Sequence, residues 1–212
     1  MKKLITEREV FEAWKQRRTK IILSPDGIIT PAAAEAAKFR NISLLKSPES
    51  AATAPQHKLP DVSRIVLGCD HGGFDLKIVL IEYLQELGVE TEDVGTFSTA
   101  SVDYPDYAHL VAQKVARDLS LLGIIVDGAG VGSAMVANKV PGVRAAACYD
   151  VHTARNSREH NFANILTLGS RVTGVDIAKE IVRTWLQTGP GAERHKRRVD
   201  KIMQIDRKYR RA

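Results

Sequence analysis

The 212-residue chain holds only two cysteines, Cys69 and Cys148. Both sit in apolar, strand-like stretches, RIVLGCD and RAAACYD, where a buried free thiol is the ordinary state. No disulfide framework is therefore expected, and a reducing, cytoplasmic setting fits better. No apolar run approaches the ~18 residues that span a bilayer, so no membrane partner is expected. CxxC and HExxH are both absent, and the sequence offers no metal site. Lysines open the chain as in a secretory signal, but Glu7, Glu9 and Glu12 break any apolar stretch, so export is not expected. There is no internal repeat.

What is present is an uneven charge. The chain carries a net +6. From Glu193 onward nine basic residues face three acidic ones, a difference of six, so the tail alone holds the whole excess. Such a cluster binds a phosphorylated small molecule, binds nucleic acid, or forms a solvated helix face. The tail has a single aromatic residue, Tyr209, and no recognition motif, so nucleic acid is not an expected partner.

Residues 47–62, rich in Pro, Ser and Ala, read as a linker between a small module over 1–46 and a larger domain over 63–212. In the module, Thr6 caps a helix and Glu9 completes a capping box. Leu4, Val10, Phe11 and Trp14 then form one apolar stripe at helical spacing. Lys20 to Leu23 is a short apolar run that ends at the turn signal Ser24-Pro25-Asp26-Gly27. Thr30-Pro31 opens a second helix over 32–39. A module of this size buries little core, so it is expected to dock on another surface.

After the linker, strands alternate with helices. Strands are expected at 64–69, 89–94, 123–126, 144–148 and 165–168. Helices are expected at 74–87, 107–118, from about 133, at 153–160, 175–186 and 195–209. That alternation implies an α/β domain with a five-stranded parallel sheet covered on both faces. Ligands of such sheets sit at the carboxyl ends of the strands, which directs attention to Asp70-His71 and to Asp127–Gly132.

The loop Asp127-Gly128-Ala129-Gly130-Val131-Gly132 lies between a strand and a helix. Its small residues let backbone N–H groups converge on an anion. A tight turn without a ligand is the alternative, and a dinucleotide fingerprint fits poorly because the loop follows the third strand. Asp70-His71 reads as a catalytic pair or as a cap with a packed imidazole. His160-Asn161 reads as a site or as a complement to a helix dipole. Tyr104, Arg171, Arg194 and Arg198 each have a plain packing or surface reading.

Together, however, GCDHGG, DYPDYA, the Gly-rich loop ending in ANKVPGVRAA, REHNFAN, GSRV and RHKRRV resemble the ribose-5-phosphate isomerase B family over about 147 residues, in order. The same superfamily includes the galactose-6-phosphate isomerase subunits. The resemblance implies a Rossmann-like, doubly wound domain in a homodimer or homotetramer with shared active sites, and a sugar phosphate as the small-molecule partner. It implies no cofactor. His160 would open the sugar ring, while Asp70, Tyr104 and Asn161 would hold hydroxyls. His71, Arg171, Arg194 and Arg198 would hold the phosphate, the last two from the neighbouring subunit. Backbone N–H groups of Gly130 to Gly132 would stabilise an enediolate, with Gly128 and Ser133 as further substrate contacts.

The chain departs from that pattern at the base. Members of the family carry a cysteine where Asp127 stands, or a glycine there with a glutamate at the place of Ser133. A threonine is replaced by Ala129. The loop VDGAGVGSAM resembles the cysteine-free galactose-6-phosphate isomerase subunit. Asp127 is therefore expected to serve as base, though a carboxylate is intrinsically weaker than a thiolate. The leading expectation is interconversion of ribose 5-phosphate and ribulose 5-phosphate. The alternatives are a six-carbon (galactose- or allose-6-phosphate) substrate and a non-catalytic binding or assembly subunit. The segment ITEREVFEAWKQ…ILSPDGIITPAAAEAAK resembles N-terminal regions of bacterial microcompartment enzymes. It implies shell or cargo partners for residues 1–46 and a place inside such a compartment.

Overall fold

The computed structural model describes residues 2–46 and 64–210. The chain divides into two compact units, Met1–His57 and Lys58–Ala212. The linker expected over 47–62 lies outside the described residues.

The first unit runs β1 (Lys2–Ile5), α1 (Glu7–Lys15), β2 (Lys20–Ile29), α2 (Pro31–Phe39) and β3 (Ser43–Lys46). The strands are parallel in the order β1-β2-β3. The capping box forms as the sequence predicts, with the Thr6 amide donating to the Glu9 carboxylate at 2.9 Å. Pro31 occupies the first turn of α2, where its missing N–H costs nothing, and the Thr30 hydroxyl caps the Ala33 amide at 3.2 Å.

Three expectations change here. The Ser24-Pro25-Asp26-Gly27 stretch does not end the strand: β2 runs on to Ile29, with its pairing to β1 irregular between Leu23 and Ile28. β1 and β3 are strands with no signal in the sequence reading, because each is four residues long and lacks alternation. The apolar stripe also divides: Val10 is buried with Ala13, whereas Phe11 and Trp14 are exposed and Leu4 belongs to β1. The small core is Ile5, Val10, Ala13, Leu23, the α2 alanines 33, 36 and 37, and Ile42.

The second unit contains β4 (Arg64–Cys69), α3 (Phe74–Glu86), β5 (Glu90–Asp93), α4 (Tyr104–Arg117), β6 (Leu122–Asp127) and α5 (Val131–Ala137). These are followed by β7 (Ala145–Ala147), α6 (Val151–Asn161), β8 (Ile165–Gly169), α7 (Val175–Gln187) and α8 (Glu193–Tyr209). Every expected strand and helix is present. The clearest boundary difference is α4, which starts three residues early because Pro105 fits a first turn.

The sheet is five-stranded, all parallel, in the order β5-β4-β6-β8-β7. β6 lies at its centre, and all six of its residues are buried, as a strand covered on both faces requires. Ile65, Leu67, Ile124, Val126 and Leu168 pack against Leu80 and Leu84 of α3 and Ile181 and Trp185 of α7. Val66, Ile125 and Ile165 pack with Val111 and Val115 of α4 and Ala137 of α5. The strand order reverses between β4 and β6. At that switch point the two crossovers leave on opposite faces and open a crevice outside the carboxyl ends.

Candidate active site

Two strand ends meet at the crevice: Cys69-Asp70 from β4 and Asp127 from β6. Asp70 continues the ladder, its amide donating to the Val126 carbonyl at 3.2 Å. Its Oδ1 accepts the Gly73 amide at 2.9 Å and caps the turn into α3. His71 Nδ1 lies 3.1 Å from the Val102 carbonyl and 3.2 Å from the Val102 amide. That contact ties the end of β4 to the segment before α4. A Cβ on Gly72 would lie 3.4 and 3.9 Å from the two Asp70 oxygens and 3.9 Å from the Gly128 nitrogen. Asp70 and the start of the Gly-rich loop therefore flank Gly72.

The Asp127 side chain is 5% exposed and turned into its own loop. Oδ1 accepts the Ala129 amide at 2.7 Å and the Gly130 amide; Oδ2 accepts the Ser133 amide at 3.0 Å and the Ser133 hydroxyl. A carboxylate offers about four lone-pair sites, and all four are used. The carboxylate expected to serve as base is thus hydrogen-bonded throughout within its own loop, as a cap of the following turn would be. Ser133, fully buried, is spent on the same hydrogen bonds rather than facing a ligand.

The Gly130 N–H is also taken, which removes one of the amides assigned to the enediolate. The amides of Val131 and Gly132, in the first turn of α5, have no intrahelical acceptor. Gly130 sits at φ +81, a left-handed conformation that glycine adopts without penalty. Its carbonyl accepts the hydroxyl of buried Thr167 at 2.6 Å. A Cβ on Gly132 would meet the Tyr104 ring at 2.7 Å, so a glycine is what lets Tyr104 lie over the loop. On the far side the Ser170 amide donates to the Asp127 carbonyl at 2.8 Å and the Arg171 amide to the Gly128 carbonyl at 3.1 Å. Ser170 Oγ donates to the Gly72 carbonyl at 2.6 Å. Asp70, His71, Tyr104, residues 127–133 and Arg171 thus form one constellation at the carboxyl end of the sheet.

His160, Asn161, Arg194 and Arg198 do not join it. α6 runs back across the sheet from the carboxyl end of β7, so its last residues lie at the amino end. Hydrogen bonds fix this: Arg144, just before β7, donates from Nε to the Phe162 carbonyl at 2.9 Å, and its own carbonyl accepts the Asn164 amide at 3.1 Å. The Gly191 amide donates to the Glu159 carbonyl at 2.9 Å and brings the start of α8 to the same place. A six-residue strand is about 20 Å long, which separates the two groups within one chain.

The amino end has its own order. The rings of His160 and His195 meet edge to face with centroids 4.0 Å apart. His195 is 1% exposed, and neither ring nitrogen has a partner among the described residues. Burial, then His160, Arg194 and Arg198, lower its pKa. Beside it Arg158, 9% exposed, donates to the Ala163 carbonyl at 2.6 Å and the Thr188 carbonyl at 3.1 Å. Its guanidinium lies 4.9 Å from the Trp185 ring. Burial chiefly, and Arg144 next, bring its pKa down to about 10. A cavity of about 490 Å³ against β7 is lined by Arg144, Asn161, Ile202, Met203, Ile205 and Asp206 among others.

Sequence reasoning missed His195, Thr167 and Ser170. His195 stands directly after Arg194 in RHKRR, and Thr167 is a lone hydroxyl in the apolar strand ILTLG; both were visible signals. The two thiols lie outside the constellation's chemistry. Burial pushes Cys69 up to about 11 and also raises Cys148.

Residues 65–202 match the family model described as Ribose/Galactose Isomerase. The chain is 44% identical over 147 residues to a ribose-5-phosphate isomerase B of Escherichia coli (strain K12), covering 69% of this chain and 99% of that protein. Among solved structures, the ribose-5-phosphate isomerase B of Clostridium thermocellum is 48% identical with a TM-score of 0.67, covering 69% of this chain and 99% of that one. The enzyme of Mycoplasma genitalium, solved with bound ribulose-5-phosphate, is 39% identical with a TM-score of 0.66, covering 68% and 96%. By fold, by the ordered residues of the crevice and by these matches, the chain belongs to the Ribose/Galactose Isomerase family.

Proposed function

We propose that this protein interconverts ribose 5-phosphate and ribulose 5-phosphate through an enediolate, in sites built from two copies of the chain. The single observation that carries the two-copy reading is the division of polar residues between the ends of the sheet. One end holds a Gly-rich loop with Arg171 and His71; the other holds an imidazole pair with Arg194 and Arg198. Neither end alone contains both a ring-opening group and a loop for the enediolate. The cavity against β7 beside Asn161 offers the second copy a place to dock.

His160 takes the proton of the anomeric hydroxyl and returns it to the ring oxygen, giving the open aldose. A neutral imidazole suits that exchange, since it accepts at one nitrogen and donates at the other. Arg171 from one copy and Arg194 and Arg198 from the other hold the phosphate, where the guanidinium fork matches two oxygens at once. Once a proton leaves C2, the charge gathers on O1 beside the amides of Gly128, Val131 and Gly132. Preorganised donors of this kind typically contribute ~10²- to 10³-fold each.

The test is ribulose 5-phosphate formation by the purified chain, with galactose 6-phosphate and allose 6-phosphate in parallel, and the mass of the assembly in solution. Turnover of ribose 5-phosphate by a dimer or larger species is expected. Turnover of only a six-carbon substrate would move the substrate and keep the chemistry. An active monomer would sink the two-copy site. No turnover of any of the three would favour a binding or assembly subunit.

For residues 1–46 the proposal is docking on a protein surface, supported by the exposed Phe11, Trp14 and Phe39 of that unit. Shell or cargo proteins of a microcompartment remain the partners that the sequence resemblance implies. A chain lacking residues 1–61 that keeps its cellular location and assembly state would sink this reading.

A further inference from the structure

An aldose–ketose isomerase needs one group that removes the proton from C2 and returns it to C1. Four side chains at the carboxyl end have the chemistry to do so, and their surroundings separate them. Cys69 is fully buried with Sγ 4.0 Å from the Thr96 carbonyl, and burial keeps it a thiol. Asp127 has no lone pair left, its two oxygens holding the amides of residues 129, 130 and 133 and the Ser133 hydroxyl. His71 is tethered through Nδ1 to Val102. Asp70 is different. It is half-buried, one oxygen caps Gly73, and the other accepts no hydrogen bond among the described residues. The Gly128 amide nitrogen and both Asp70 oxygens lie within 4 Å of where a Gly72 side chain would start, so the carboxylate and that N–H donor flank the same glycine. A sugar lying over Gly72 has the carboxylate on one side and the N–H donor on the other.

Resting on the isomerase reading, we propose that Asp70 is the base that carries the proton between C2 and C1, and that Asp127 is a positioning residue that fixes the loop. In the forward step Asp70 Oδ2 takes the proton from C2. The C–H electron pair becomes the C1=C2 double bond, and the former C1=O pair moves onto O1, beside the Gly128 N–H. In the return step the proton on O2 passes to the neighbouring O1 of the enediolate, and the O2 electron pair forms the C2 ketone. The C1=C2 pair takes the proton that left C2 back from the Asp70 carboxylic acid onto C1, and the carboxylate is restored. No other reactant is needed. Asp127 serves by orientation: its four hydrogen bonds hold residues 128–133 in one shape, backed by Thr167 on the Gly130 carbonyl.

The experiment compares Asp70→Asn, Asp70→Gly and Asp127→Asn with the wild type in H₂O and D₂O, after circular dichroism has checked each fold. Asp70→Asn keeps the Oδ1 cap on Gly73 and so tests the proton transfer with little change in shape. Its kcat is expected to fall ~10²- to 10⁴-fold, the usual contribution of a positioned base. KM should stay within about threefold, and deuterium incorporation at C1 should fall with kcat. Formate added to Asp70→Gly should restore turnover in a saturable manner, which a group that only holds a hydroxyl would not permit. Asp127→Asn should lower the melting temperature and gain nothing from formate. Asp70→Asn within about tenfold of the wild type in kcat would overturn the proposal. So would formate rescue at position 127 but not at 70. A wild type that turns over no sugar phosphate would overturn the isomerase reading and this proposal with it, whereas an active wild type with an active Asp70→Asn overturns this proposal alone.

Discussion

The two ends of the five-stranded sheet satisfy their polar groups in opposite ways. At the carboxyl end each loop closes on another: Asp127 takes four donors, Thr167 seals the Gly130 carbonyl, and Ser170 reaches Gly72. At the amino end two arginines, Arg144 and Arg158, lie inward with backbone carbonyls among their hydrogen-bond acceptors, and His195 has no partner on either nitrogen among the described residues. A buried group that lacks partners costs free energy, so the two ends differ in what their polar side chains contribute to stability. The carboxyl end closes its polar groups on its own loops; the amino end leaves a buried imidazole without a hydrogen-bond partner among the described residues.

The largest expected effect breaks that comparison directly. Arg171→Ala removes a group at the carboxyl end, and His160→Asn removes one at the amino end. Each variant alone should be nearly inactive. Co-expressed, random pairing makes about half of the dimers mixed, each with one intact site, so about a quarter of native activity should return. Absence of any recovery would place both residues in a site within a single chain.

How much of this was legible in the sequence depends on the length of the signal. The second unit was legible because its helices carry whole turns of apolar periodicity, as in FDLKIVLIEYL, and its strands are near-continuous apolar runs such as LGIIVD. β1 and β3 were not, since KKLI and SLLK are too short to show a period, and their pairing with β2 decides their state. The polar Ser24-Pro25-Asp26-Gly27 reads locally as a turn; it forms an irregularity within β2, where the pairing with β1 jumps from Leu23 opposite Lys2 to Ile28 opposite Leu4. The site residues were legible as residue types. Their sorting between two ends was not, because it follows from α6 running antiparallel to its strands. Nor was the state of Asp127, whose function depends on where three amides and a hydroxyl point. No sequence motif encodes that by itself.

A second variant sharpens the contrast through stability. Arg158→Ala leaves the Ala163 and Thr188 carbonyls without a donor and strips the cation from the Trp185 ring. The expected loss is about 3 kcal/mol, read as a lower denaturant midpoint. At the carboxyl end Thr167→Val keeps the shape and leaves one buried carbonyl unpaired, for about 1–3 kcal/mol. This smaller change should also lower kcat more than it raises KM, because Gly130 anchors the loop that meets the transition state. Equal effects of the two variants on kcat would erase the distinction between Arg158 as a packing group and Thr167 as a support of the reacting loop.

The smallest effect is a pH dependence, and its sign follows from burial. The folded state holds His195 below its ordinary pKa, chiefly by desolvation and then by His160, Arg194 and Arg198. The unfolded chain therefore binds a proton at this residue at a pH where the folded chain does not, and stability falls as pH drops through the unfolded value of ~6.5. His195→Phe preserves an aromatic ring against His160 and removes the titrating group. Its denaturant midpoint should decline less than that of the wild type between pH 7 and pH 5.5. The difference should appear in the assembled protein only if His195 stays neutral there. A partner carboxylate that charges the ring on assembly would reverse the slope, and the same titration at protein concentrations above and below dissociation would expose it.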